Sequence, residues 1–371
     1  MKSLLLVFAA LVSATVQSQS LPLLNGQDLA GWVEEGPTAQ FSVQDGALRV
    51  SGRGHVPNWI HTGREFEDFR LTFDYQLDQW AEAAVMLRAA RSDRPQHTGL
   101  TIVLAHDFHH EVTPYVTGAV MGALPPLHPM AEAETWGKWH HVAIELRGTH
   151  LRVAINGVAM QDVDTSGVAA LATRLRRGVI GFPDMGYGYS VRDIRIEDLG
   201  APTKFVGLRA GDDLAGWGKR GDSGIWTAQN GVLAGAYGHS TLYAPGVFGD
   251  FELTTLVRSH DRVNSGIFLH GDADGPRRGF EIQIYSPVDA VYPTGSIYGR
   301  VRSHVSADYE ERWFLLQVRL EGARCRVWID GELVASTDAL PAELLKPGRV
   351  GFQIHSDGAR VEFRDMRVRP L

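Results

Sequence analysis

The chain has 371 residues, enough for two ordinary domains, and its 44% hydrophobic and 21% charged residues are the balance of a folded globular protein. A formal net charge of −7 gives no reason to expect nucleic acid or an anionic membrane as a partner. The single cysteine, Cys325, rules out an intramolecular disulfide; in ARCRVWID it shares a face with Ala323, Val327 and Ile329, as a packed core thiol does.

The N-terminal run MKSLLLVFAALVSATVQSQS has the form of an export signal. Lys2 supplies the positive start, Leu4–Val12 is too short to span a bilayer, and small residues around Ala14 and Ser18 offer cleavage points. The expectation is a signal over 1–18 and an exported protein, periplasmic or secreted. No cysteine follows to carry a lipid and no later run is long and apolar enough to cross a membrane, so no membrane anchor is expected.

Beyond the signal the sequence is written twice. LAGW at Leu29–Trp32 returns at Leu214–Trp217, and FSVQDGAL from Phe41 returns as WTAQNGVL from Trp226. FEDFRLTF (from Phe66) matches FGDFELTT (from Phe248), VMLR (from Val85) matches IFLH (from Ile267), and TGAVMG (from Thr117) matches TGSIYG (from Thr294). GVIGF (from Gly178) matches GRVGF (from Gly348), and the copies close on VRDIRIEDL and FRDMRVRPL. The expected units are 19–200 and 201–371, joined near Gly200-Ala201-Pro202.

In chain order the segments Phe69–Leu77, His141–Arg147, Arg152–Asn156, Phe251–Val257, Leu315–Leu320 and Val361–Val368 alternate as strands do. Asn156-Gly157 and Asp330-Gly331 sit where hairpin turns belong, and only Pro341–Leu345 suggests a helical turn. Many short strands with little helix predict an all-β protein, one β-sandwich or jelly roll per unit.

The second unit carries W-x-x-x-x-G-x-L (Trp226–Leu233), GDFEL, NSGIFLHG, GFEIQIY, TGSIYG, DGELV and GFQIHSDGARVEFRDMRV in order. This set resembles the bacterial 3-keto-disaccharide hydrolase family over most of Ala201–Leu371, and the first unit resembles it more weakly. The resemblance implies two tandem concanavalin A-like jelly-roll sandwiches and action on glycosides whose sugar is oxidised at C3, by hydrolysis or by elimination and hydration. Asn264, Glu281, Gln283, Tyr298 and His355 match the family's pattern. His270 stands where the family commonly has Arg, and Tyr285 where it has an acid.

The two copies differ where chemistry is expected. GFEIQIYSP (Gly279–Pro287) aligns with GLTIVLAHD (Gly99–Asp107), so Thr101 replaces Glu281 and Val103 replaces Gln283. The second unit keeps Glu281, Gln283, Gln317, Arg319, Gln353 and His355 at alternating strand positions, which places a polar site on its sheet. A carbonyl at C3 acidifies the C2 hydrogen, so elimination needs a base, a group for the enolate oxygen and an acid for the leaving group. The expected catalytic residues are Glu281 as base and His355 as the second acid/base, with Arg319 or a bound cation at the enolate. Asn264, His270, Gln283, Tyr298 and Gln353 complete the expected substrate-binding set.

Two alternatives stay open at this stage. A non-catalytic carbohydrate-binding protein would use the same face for hydrogen bonds alone. An ordinary glycoside hydrolase needs two flanking carboxyl groups, whereas the line Glu281-x-Gln283-x-Tyr285 holds one acid, leaving the second to a loop residue such as Asp272, Asp274 or Asp289. His106, His109, His110 and Glu111 form the densest group of possible ligands for a divalent metal, although the sequence requires none.

Overall fold

The computed structural model describes residues 19–371, apart from 37–39, 54–57, 107–110, 131–135, 209–213, 275–277, 288 and 306–308. The export signal over 1–18 lies outside the described residues. Each half of the chain is a two-layer antiparallel β-sandwich, and among the described residues every strand ladder stays within one half.

In the first half the five-stranded front sheet runs Trp32–Glu35, Asn58–Thr62, Val179–Asp184, Glu82–Ala89, Leu100–Ala105. The back sheet runs Val158–Asp164, His150–Ile155, His140–Arg147, Asp68–Leu77, Gly188–Gly200, Ala47–Ser51, Phe41–Gln44, with Leu21–Pro22 paired outside Gly188–Gly200. The second half repeats this order, but two of its strands serve both layers. Val232–Tyr243 and Arg349–Pro370 pair side by side along most of their length and bend together at Tyr237-Gly238, which joins front and back into one 11-stranded sheet. Gly238 is required at the bend: its φ is +144° and a Cβ there would strike the backbone of Gly224.

Alternation along the strands fills the space between layers. Phe69, Phe73, Tyr75, Phe182 and Tyr189 fill the first core, and Phe251, Phe314, Phe352 and Phe363 the second, all buried. Each such side chain contributes roughly 1.5–3 kcal/mol on leaving water. Cys325 lies wholly inside the second core. The hairpins turn at Asn156-Gly157 and Asp330-Gly331, whose residues all have positive φ, as a two-residue turn of this twist demands. The predicted helical turn is a short 3-10 helix over Ala342–Leu344.

The halves dock through the outer face of the second back sheet. Asp93 and Trp313 exchange hydrogen bonds of 2.9 and 3.1 Å, and Arg258 and Arg364 lie over the Trp313 ring at 4.7 and 4.2 Å from its centroid. Arg367 reaches across to Glu65 with a forked pair at 2.7 and 2.8 Å. Ala90 packs with Leu256, Trp313 and Leu315 beside Leu175.

Candidate functional site

The site is built by register on the front sheet of the second half. Hydrogen-bonded pairing sets Gln283 opposite Gly266, Gly266 opposite Gln353, Gln353 opposite Thr241, and Thr241 opposite Arg220. The next row is Glu281, Phe268, Gly351, Tyr243 and Gly218. One step the other way, His355 stands opposite His239. Paired residues, and residues two apart on a strand, share a face. All of these therefore point away from the core, which takes the alternate set Leu242, Ile267, Leu269, Ile282, Ile284 and Phe352.

Three glycines shape the floor. A Cβ on Gly266 would coincide with the carboxylate of Glu281, so the acid lies flat across bare backbone. Gly351 and Gly271 are bare beneath the Tyr243 ring in the same way. Gln283 is 4% exposed and donates through Nε2 to Asn264 Oδ1 at 3.0 Å. Gln353 is also buried, and its Oε1 has no hydrogen-bond partner among the described residues. Such an acceptor costs free energy until a donor reaches it. A cavity of about 250 Å³ opens over this floor, lined by Arg220, His239, Thr241, Tyr243, Gln353 and His355 among others.

At one end the His239 and His355 rings meet edge to face at 4.3 Å, and Asp357 holds His239 Nε2 at 3.2 Å. Tyr298 lies at the rim beside Glu281, its backbone N–H donating to Glu281 O at 2.9 Å and its ring exposed next to Tyr292. Arg220 enters from the edge strand Gly218–Arg220 and donates to Asp272 O at 3.4 Å, while the Asp272 carboxylate faces Arg278 at 3.3 Å.

Two expected site residues are elsewhere. His270 is 2% exposed, with ring nitrogens 2.7 and 2.8 Å from the carbonyl oxygens of Leu344 and Gly249, so it cannot bind substrate. It occupies a strand irregularity at φ +56°, and the matching Arg88, at φ +52°, hydrogen-bonds Glu67 O, the counterpart of Gly249 O. The shared role is to pin a bulged strand. Arg319, with Gln317, lies on the back sheet and faces the first half, paired with Glu252 at 2.9 Å. Strand phase told which side of a strand these residues occupy, but not which of the two sheets holds the strand.

Arg220, His239, Thr241 and Tyr243 were not anticipated, although the alternation in His239-Ser240-Thr241-Leu242-Tyr243 carried the signal. Of the weak metal candidates, His109 and His110 fall outside the described residues. His106 packs edge-on to Trp80 at 5.1 Å, and Glu111 is exposed.

In the first half the same positions hold Thr101, Val103, Ala84, Pro183 and Trp59. Thr101, Ala84, Pro183 and Trp59, with Met86, Met121 and Met185, line a mostly apolar hollow of about 280 Å³ that Asn58 and Asp184 also border. The polar floor exists in one copy only.

Fold and site together define a tandem concanavalin A-like jelly-roll protein whose second unit carries a polar front face. The chain belongs to the 3-keto-alpha-glucoside-1,2-lyase-like domain family, which matches residues 19–197 and again 204–369. No curated protein matches it. Among solved structures it is similar to two candidate glycosyl hydrolases from Parabacteroides distasonis, at 18% and 22% identity. Each covers 49% of this chain, over 94% and 100% of their own, at a TM-score of 0.43. A carbohydrate-binding module from Bacillus subtilis is similar at 16% identity, covering 42% of this chain and 95% of its own, at a TM-score of 0.31.

Proposed function

We propose that the second unit cleaves 3-keto-glycosides by elimination and rehydration, with Glu281 as the base. The observation that carries this is the placement of the Glu281 carboxylate across Gly266, between the buried amides Gln283 and Gln353 and on the face that carries His355. Glu281 takes the proton from C2, and the C2–H electrons form the C2=C3 enolate. The enolate re-forms the C3 carbonyl, C1=C2 forms, and the C1–O bond breaks. His355, paired with His239 and Asp357, gives the leaving oxygen its proton. Water then adds at C1 of the enone, giving its proton to His355, and Glu281 returns its proton to C2, so the net reaction is hydrolysis and both groups are restored. Arg220 is a guanidinium lining this cavity and is assigned the enolate role first expected of Arg319. Gln353 Oε1 accepts from a sugar hydroxyl, and Asn264, held by Gln283, binds another.

The test gives the full chain 3-keto-glucosides of both anomers and follows aglycone release and the ultraviolet band of the enone, beside Glu281→Gln. The expected result is turnover that the variant lacks while still binding the sugar. Binding without turnover in both proteins would replace this reading with a lectin. Loss of turnover in chelator would move the enolate role from Arg220 to a cation. Export is proposed on the N-terminal run alone, and N-terminal sequencing of the exported protein that still began at Met1 would refute cleavage of a signal.

A further inference from the structure

A second cleft, of about 490 Å³, lies between the two halves on the back sheet of the second, away from Glu281. Its floor is set by register: Gln317 stands opposite Trp328, Arg319 opposite Arg326, and Glu252 opposite both Arg319 and Arg369. Its roof is the first-half segment 172–176, fixed where Gln317 Nε2 donates to Thr173 O at 3.1 Å.

The charges on the floor are matched. Arg319 meets Glu252 at 2.9 Å and Glu321 at 3.3 Å, Arg369 also meets Glu252, and Arg326 meets Asp338 at 3.1 Å. The roof is different. Arg174 and Arg176 both line the cleft, and neither forms an ion pair with a carboxylate among the described residues. Arg174 Nη1 and Gln317 Oε1 are buried without hydrogen-bond partners among those residues. Trp328 supplies an aromatic surface in the same cleft.

Two guanidinium groups with no carboxylate in ion-pair contact, Arg174 having the buried Asp330 only as a more distant neighbour and an Nη1 left unfilled, suit a planar anion; an unfilled amide oxygen asks for a hydroxyl, and an indole suits the apolar face of a sugar ring. From these we infer that the cleft binds an acidic saccharide. Its carboxylate sits on Arg174 and Arg176, a hydroxyl donates to Gln317 Oε1, and a ring face lies on Trp328. The site needs both halves, which gives the first unit a role although its own front face is mostly apolar. It is independent of the reaction proposed at Glu281.

Calorimetric titration of the full chain with glucuronate and a galacturonate oligomer, beside glucose and sodium sulfate, tests this. Both uronates are expected to bind, more weakly as salt rises, and glucose is not. Arg174 also packs against Gly331, so the deciding variants are Arg176→Gln and Trp328→Ala, each checked for an unchanged unfolding midpoint. Each is expected to weaken uronate binding about tenfold or more, whereas Glu281→Gln leaves it intact. Absence of uronate binding, or binding that neither variant weakens, would overturn the inference. Sulfate binding as tightly as uronate would overturn the saccharide assignment and leave a simple anion site.

Discussion

The Glu281 carboxylate rests on the α-carbon of Gly266, in the space a Cβ would fill. The first half shows the same relation abandoned on both sides, with Ala84 in place of Gly266 and Thr101 in place of Glu281. A methyl group on that strand and a long acid on its neighbour exclude each other. Gly266→Ala is therefore expected to displace the carboxylate and lower kcat by about two orders of magnitude or more, the scale of a misplaced catalytic group. Global stability should change little, because the glycine faces the cavity and not the core. Single-turnover kinetics beside thermal unfolding measures both; full activity in Gly266→Ala would remove Glu281 from the mechanism.

In the proposed reaction His355 protonates the departing alcohol, so its loss should depend on the leaving group. His355→Gln is expected to slow aliphatic aglycones by about 10²–10⁴ and to spare aglycones that depart readily as anions. Comparing nitrophenyl and alkyl 3-keto-glucosides gives the slope directly. An equal loss on both would make His355 a binding residue.

His270 belongs to the scaffold. A neutral imidazole donates from one ring nitrogen, so removing the ring leaves one of the carbonyls of Leu344 and Gly249 without its donor, at about 1–3 kcal/mol. His270→Ala should lower the denaturation midpoint and leave the KM of the folded fraction unchanged. His270→Arg should recover most of the loss, because Arg88 already makes the equivalent bond in the first half. A raised KM at normal stability would return His270 to the site.

The strands, the duplication and the polar face of the second unit were readable because alternation and internal repetition are local signals. Glu281, Gln283 and Gln353 share one face, as their phase required. Assigning Arg319 to that face failed because a sandwich has two sheets and phase alone does not distinguish them. His270 was misread because a bulge turns its side chain from the surface into a pocket of backbone carbonyls. Arg220 was missed because its strand is three residues long, too short to show a period. The cleft between the halves depends on docking, and no single segment encodes it.

Burial pushes the Asp330 carboxyl up to about 7 from an ordinary 3.8, against the backbone hydrogen bond from Leu315 and the nearby Arg94 and Arg174. A carboxyl of raised pKa binds its proton more tightly folded than unfolded. Its contribution is therefore most favourable at low pH and declines as pH rises from about 4 to about 7, and is level above that. His97, lowered to about 4 mainly by burial, acts oppositely below 6.5, where falling pH weakens the fold. Comparing wild type with Asp330→Asn cancels the histidine. Asn tolerates the φ of +46° and still accepts from Leu315 N–H, so only the charge is lost. The variant should match wild type near pH 4 and gain on it up to about pH 7. The gain then levels off, at an upper limit of roughly 4–5 kcal/mol given about 1.4 kcal/mol per tenfold change in proton affinity. Urea denaturation at pH 4, 5.5, 7 and 8 measures this difference; a constant offset across that range would mean that Asp330 is not titrating there.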